Sequence, residues 1–506
     1  MRKFLLLIAV ALFTTATYAQ LWSTSITPVD EGQSLYSSST TIDKDGNLYV
    51  TGEQTGEVDF AGTKTTPMNG MGSFIVKYNV KGEVSFVITL HGGVMISSTT
   101  TDADNNLYVA GMCQGQAIIT GVNGFGDDYE VIGSEDEMTA FIAKYDKNGN
   151  LLVVKSFKAE HSASMLEYMW DPAMVAIPTL AVVDSKVYAL FGFDGDVVLN
   201  DDITLKANYV LTDFGWGPWY LASPSGALVS FDSDFKEVSL EACLTVADEC
   251  ADASTILDLK FAVENDDVCL VALCMGDFVL TTSAGSEVFN FQTTNDGTGN
   301  VEIGAIVANI GKKTVKVSNK LASVYGENTY LQDVTVKDGK IYLVGFFEGH
   351  CAFAPEKVAV GMNDWFVSSI DAKNLNIDWT YIKADENDNG YLNYVMFGGQ
   401  YIYVAEYNYG EGQCSKYSIA YKDGTIEETE GDGNIYEVAY NDNYVASFEY
   451  NMCIYISMYT ADSFTSIESV NAEVENNVIY DLTGRRIEKI TESGIYIVNG
   501  KKVLVK

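Results

Sequence analysis

The chain has 506 residues, and 69 Asp and Glu against 31 Lys and Arg give it a formal net charge of −38. A surface so acidic repels nucleic-acid phosphates, and it repels anionic membranes and polysaccharides unless cations bridge them, so no nucleic-acid partner is expected. The histidines, His91, His161 and His350, fall in no HExxH or triad-like pattern, which gives no support to a zinc site or a Ser-His-Asp triad and nominates no metal ligand.

The chain opens with Arg2 and Lys3, an apolar run from Phe4 to Phe13, and Thr17-Tyr18-Ala19 before Gln20. A basic start, a short apolar core and a small residue at the cut predict a secretory signal peptide over residues 1–19. The run falls short of the roughly 20 apolar residues that cross a bilayer, and no later stretch is longer, so an exported protein that is not integral to the membrane is expected. Gln20–Thr27 then reads as a single orphan strand.

From Ser37 to Leu90 the sequence alternates apolar and polar residues in four runs, opening SSSTTIDKDGNLYVTG and closing SFIVKYNVKGEVSFVITL. Period-two runs between turn residues are half-buried strands, and Asp45-Gly46 suits a tight hairpin. Ser97–Phe157 repeats the unit closely. Its first hairpin recurs near Pro178, Leu257, Leu331, Leu392 and Asn434, which makes copies about 60 residues apart, a spacing of propeller blades. The predicted fold is all-β: a seven-bladed β-propeller of four-stranded antiparallel blades over residues 20–465, followed by a small C-terminal β domain. The last copy shows three strands of its own, so the orphan N-terminal strand is expected to complete it and remove a free edge.

DKDGNLYVTG (43–52) followed by FIVKYN (74–79) resembles the bacterial SBBP-type β-propeller repeat, with its D-x-x-G-N-x-Y-V-x-G and F-x-x-K-Y/F-D segments. The first two copies carry the resemblance best. It implies a propeller and names no chemistry.

The links between strands one and two and between three and four are mostly tight turns. Those between strands two and three are long, about 53–72, 112–138, 193–225 and 275–302, and some links from blade to blade are long as well. All of these emerge on one face, the expected working surface. On it, Met165–Pro172 and Asp213–Tyr220 concentrate aromatics, and Tyr168, Trp170, Trp216, Trp219 and Tyr220 are the candidate ligand-binding residues because rings stack on sugar faces. Rings that plug the channel or cover gaps between blades would look the same, and that is the simpler reading. Asp43-x-Asp45-Gly-Asn47, Asp102-x-Asp104-Asn-Asn106 and Asp146-x-Asn148-Gly-Asn150 have the oxygen content of calcium loops. They lack the EF-hand's longer ligand series, and hairpin chemistry alone explains them, so no cofactor is assigned and calcium remains only an alternative. Cys113 and Cys274 read as core thiols, and Cys243 with Cys250 is the one pair that suggests a disulfide.

From Ser466 the repeat stops and an acidic linker leads to VIYDLTGRRI (478–487) and GIYIVNGKKVLVK (494–506), read as two small hairpins with a basic end. This segment closely resembles the type A C-terminal sorting domain of the type IX (Por) secretion system of Bacteroidota. The resemblance rests on Tyr480, Asp481, Gly484 and Arg485, on Gly494 and Tyr496, and on the terminal Lys501, Lys502 and Lys506. The Pro often found before G-x-Y is absent. It implies Sec export, recognition of the tail by the type IX machinery, and delivery to the cell surface or medium. Three functions then stand open for residues 20–465: a surface binding or adhesion module for glycan or protein, a glycan-active hydrolase or lyase, and a structural envelope component.

Overall fold

The computed structural model describes residues 20–30, 32–124, 128–134, 138–161, 172–213, 218–222, 225–247, 254–291, 300–324, 329–360, 364–384, 390–408, 413–431, 434–450, 452–465, 479–481, 486–487, 494–498 and 501–505. Seven antiparallel meanders follow one another along them. The first uses Leu35–Ile42, Leu48–Thr55, Met71–Tyr78 and the first half of Val84–Thr101. That last strand runs on past Gly92 (φ 93°) to become the innermost strand of the second meander, with Leu107–Thr120, Met138–Tyr145 and Leu151–Glu160. The next four comprise Val175–Val183 to Val238–Val246, Thr255–Glu264 to Thr314–Val324, Thr329–Lys337 to Ile377–Lys383, and Gly390–Gly398 to Ile426–Glu430. The last has Glu437–Tyr440, Tyr444–Tyr450 and Ile454–Thr460, and it takes Gln20–Pro28 as its fourth strand, with Trp22 opposite Met458 and Ile26 opposite Ile454. The orphan strand thus completes the last meander, as its pattern predicts.

Successive side chains of a strand face opposite sides of its sheet. Leu48 and Val50 therefore enter a core shared with the last meander, whereas Tyr49 between them enters the core shared with the second. Every seam between consecutive meanders holds such a cluster, from the first and second round to the last and first. The first strands touch in sequence around the same circuit, so they form the inner wall. The fold is a β-propeller, and the meanders are its blades.

One irregularity recurs on that wall. The pairing of strand one with strand two slips at Ser37/Ser39, Ile96/Ser98, Ala176/Thr179, Ile256/Asp258, Leu331/Asp333 and Leu392/Tyr394. In the last blade Tyr436 and Glu437 both oppose Phe448. These are β-bulges, which put an extra residue on one strand and bend it. The bulge brings a strand-one carbonyl close to strand two and explains the glycine of Y-V-x-G. A Cβ on Gly52, Gly111 or Gly345 would stand 1.9, 2.4 or 2.0 Å from the carbonyl oxygen of Tyr36, Met95 or Tyr330.

The acidic turns are hairpin anchors. The Asp43 carboxylate accepts the Asp45 and Asn47 backbone N–H groups at 3.0 and 2.8 Å, Asp102 accepts those of Asp104 and Asn106, and Asp146 those of Asn148 and Asn150. Asn79 and Asn441 repeat the device. These oxygens are occupied by turn amides, which is the hairpin reading. The lysine of F-x-x-K-Y then ties one blade to the next. Lys77, almost fully buried, donates to the Lys147 carbonyl at 2.9 Å, lies 3.7 Å from Asp43 and sits 4.8 Å from the Tyr49 ring centroid. Lys144 repeats this with Asp234 and Tyr108.

The long links between strands two and three serve mainly as rim. Val58–Phe60 and Thr63–Thr65 form a hairpin on Gln20–Pro28 of the last blade. In the second blade the extended Leu107–Thr120 pairs with Tyr129–Ile132 and lies beside the outer strand of the first, Thr120 donating to the Thr89 carbonyl. Asp196–Val198 and Thr204–Leu205 cover the second blade's outer strand, and Asp277–Thr282 and Gly285–Asn290 cover the third's. Each hairpin pairs with the edge of the preceding blade, whose N–H and C=O groups would otherwise be open. The expectation that these links make a working surface therefore gives way, for those segments, to edge closure.

The cysteines at the seams are packed as expected for Cys113 and Cys274, both fully buried. Cys243 corrects the disulfide reading. It is a free thiol in the core between the second and third blades, where burial pushes it up to about 12, and Cys250 lies outside the described residues. A short helix unforeseen from the sequence, Ala461–Thr465, follows the last blade and buries Phe464 between the sixth and seventh. Lys416 donates to the Phe464 carbonyl at 2.9 Å, and burial brings its amine down to about 8. Beyond it Ile479–Asp481, Arg486–Ile487, Gly494–Val498 and Lys501–Val505 form one four-stranded sheet with Ile479–Asp481 inside it, rather than two separate hairpins. No helix among the described residues is long and apolar enough to cross a membrane.

Candidate functional site

The inner wall is where backbone irregularity, polar side chains and exposed aromatics coincide. The residue after each bulge is Ser39, Ser98, Thr179, Asp258, Asp333, Tyr394 or Glu437. Several of these reach the first strand of the following blade. Ser39 accepts the Thr99 N–H and Ser98 the Leu180 N–H, each at 3.0 Å, and Asp258 accepts the Leu331 N–H at 2.8 Å. At the closing seam Thr40 and Ser37 donate to the two carboxylate oxygens of Glu437 at 2.8 and 3.4 Å. The wall is stitched by side chains that a bulge turns toward the neighbour.

Two carboxylates of the wall are held differently. Asp333 accepts its neighbour Val334 N–H at 2.8 Å, yet loss of water around it pushes it up to about 6. Glu437 is held by three hydroxyls, since Tyr450 also donates to Oε2 at 2.5 Å. Burial, with Glu437 beside it, holds the Tyr450 hydroxyl well above the ordinary tyrosine range, so it stays a donor.

Strand one begins at the face where the long links emerge, so its early residues rim the mouth of the axial channel. Tyr36 and Tyr391 there are 64% and 59% exposed, and Tyr330 stacks on Phe346 with centroids 4.9 Å apart. In the last blade Tyr436 occupies the bulge itself, 50% exposed, with the Tyr450 ring 6.2 Å away. Large rings left in solvent are informative because burial is their usual fate.

This constellation differs from the one expected. Tyr168, Trp170 and Trp216 lie outside the described residues. Trp219 and Tyr220 lie on Pro218–Ala222, paired through the backbone with Thr212 and Leu211 in a hairpin of the third blade's long link. Of the tail residues, Tyr480, Asp481, Gly494, Tyr496, Lys501 and Lys502 are on strands, with Asp481 opposite Tyr496, and Gly484, Arg485 and Lys506 lie outside the described residues. The leader 1–19 and the linker 466–478 lie outside them too. The mouth residues were hard to single out because Tyr36, Tyr391 and Tyr436 sit inside strand patterns that repeat in every copy. Only their place before or at the bulge marks them, and a register shift leaves no trace in alternation.

No family profile matches the chain. Over 84 residues it is 37% identical to an uncharacterized WD repeat-containing protein of Acanthamoeba polyphaga mimivirus, a match that spans 16% of this chain and only 6% of that protein's length. Among solved structures it is similar to the polysaccharide lyase Uly1, at 9% identity and a TM-score of 0.45, over 84% of this chain and 90% of the lyase. BamB from Moraxella catarrhalis matches at 10% and 0.35, over 86% and 98% of the two chains. The quinohemoprotein alcohol dehydrogenase of Comamonas testosteroni matches at 9% and 0.38, over 91% and 78%. At these identities the likeness is one of fold and carries no activity across.

Proposed function

We propose that this is an exported β-propeller that binds a glycan or protein at the long-link mouth of its channel, delivered to the cell surface or medium by the type IX machinery. The observation that carries the binding reading is the set of solvent-exposed tyrosines Tyr36, Tyr391 and Tyr436 on the inner wall, with Tyr450 beside Tyr436 on the second strand of the last blade. Rigid aromatic surface held by a fixed scaffold is what recognition uses. A glycan-active enzyme is the second reading, because a carboxyl near 6, as at Asp333, has the protonation of a general acid. Against it, Asp258 and Asp333 already accept backbone N–H groups of the wall.

The binding reading is tested on glycan and peptide arrays with the mature protein. Tyr391→Ala, at an exposed ring, should weaken captured ligands at least tenfold and leave the melting temperature unchanged. Ligands captured equally by the variant would refute a mouth site. Support for the export reading comes from the tail motif, from Tyr480 to the final lysines, and from its strands, which among the described residues pair with one another and with no blade. Deleting residues 478–506 should leave the propeller's melting temperature unchanged and strand the protein in the periplasm of a type IX-competent host. A truncated protein that still reaches the surface would overturn that reading.

A further inference from the structure

We propose that Tyr436, Tyr450 and Glu437, at the seam between the last and first blades, form a binding site for an alkylammonium group, such as the amine of an amino sugar or of a lysine side chain. This rests on the mouth being a binding surface and names the chemistry it selects.

The argument starts from Glu437. Its oxygens accept hydroxyls from Thr40, Ser37 and Tyr450, all neutral donors. Among the described residues no Lys or Arg nitrogen comes within 4 Å of it. The three donors orient the carboxylate, no cation among the described residues balances its charge, and about one of its four lone-pair positions remains open. Beside it the Tyr436 and Tyr450 rings stand 6.2 Å apart at 51°, a wedge and not a closed stack, with both rings partly in solvent. A cation within about 6 Å of a tyrosine centroid is attracted by the ring face, and the Glu437 carboxylate, bound by the Tyr450 hydroxyl, supplies the counter-charge.

The same chain shows the filled version of this arrangement. At the seam of the first and second blades, Lys77 lies 4.8 Å from the Tyr49 centroid and 3.7 Å from Asp43. Lys337 over Tyr421 at 4.7 Å and Lys416 over Tyr403 at 5.2 Å repeat the ring contact elsewhere. The Tyr436–Tyr450–Glu437 corner has the ring faces and the acid of the Lys77 seam without an internal ammonium. Tyr436, the bulged residue, is half in solvent there. A net charge of −38 favours the approach of cationic ligands over anionic ones.

Calorimetric titration of the mature chain with a glucosamine tetramer, the N-acetylglucosamine tetramer and tetralysine tests this. The amine-bearing probes should bind and the N-acetylated one should not, and whichever of glucosamine and lysine binds more tightly identifies the source. Glu437→Gln and Tyr436→Ala should each weaken binding at least tenfold, whereas Glu427→Gln, which removes a similar charge from the outer rim, should not. Tyr436→Ala touches no seam hydrogen bond, so it keeps the test valid if Glu437→Gln loosens the ring. Amine binding that survives both variants, or no amine binding at all, overturns the inference. If the N-acetylated tetramer alone binds, and needs Tyr436, the ammonium site falls while the mouth-binding reading stands.

Discussion

Removal of Gln20–Pro28 from the chain is expected to abolish the folded ring or lower its melting temperature by tens of degrees. The segment pairs with Ile454–Thr460 along most of its length and carries Ile26, which is fully buried in the core between the last and first blades. Burial of one such side chain contributes roughly 1.5–3 kcal/mol. Trp22 packs on Tyr78 with centroids 5.9 Å apart and lies against Gly82. The hairpin Val58–Thr65 would lose the strand on which it rests. Added together, these losses rival the ~5–15 kcal/mol net stability of a folded domain. Scanning calorimetry and gel filtration of the truncated protein provide the check, and a compact protein with an unchanged transition would show that the closing strand is dispensable.

A single methyl group should also be costly. Gly345→Ala puts a Cβ 2.0 Å from the Tyr330 carbonyl oxygen and 2.9 Å from the Phe366 ring, and Gly52→Ala puts one 1.9 Å from the Tyr36 oxygen. Neither glycine has a positive φ, so the cost is space and not conformation. The obstructing atom is backbone fixed by the bulge and cannot swing aside as a side chain would. Overpacking of a fixed site costs about 1–3 kcal/mol, and these contacts lie at or beyond the upper end. Gly192 is the comparison. It stands at the matching position of the third blade, where the register slip runs from Ala176 to Thr179, and nothing lies within 4 Å of its Cβ. Urea unfolding should show Gly192→Ala near neutral and Gly345→Ala strongly destabilised. Equal effects at the two sites would mean that the bulge does not dictate the glycine.

The parts of this fold legible in the sequence are those that local chemistry writes directly. Asp43, Asp102 and Asp146 announce hairpins because the carboxylate that favours a turn is the one that caps it. Gln20–Thr27 announces a missing fourth strand because it alternates without a neighbour. Contacts between blades were not legible. Lys77 and Lys144 look like outward charges on alternating strands, yet each is buried against the next blade. Cys243 and Cys250 look like a pair by spacing, but Cys243 faces a seam. The rim hairpins include strands of only two or three residues, such as Thr204–Leu205 and Val58–Phe60, and these are indistinguishable from loops until an outer edge is available for pairing. Glu437 was one acid among 69, and only the ring's closure brings Ser37, Thr40 and Tyr450 to it.

The rim hairpins also bear on the order in which the molecule is completed. Those of the second, third and fourth blades seal the edge of the blade before them, so each of the first three blades, on leaving the ribosome, waits for its successor to finish it. The closing blade is the exception, because both Gln20–Pro28 and the Val58–Thr65 hairpin that covers them are made at the outset. That small sheet has to persist until its partners arrive, across the separation of 437 positions that divides Gln20 from Ser457. Contacts so distant in sequence form slowly, and an apolar strand is exposed meanwhile.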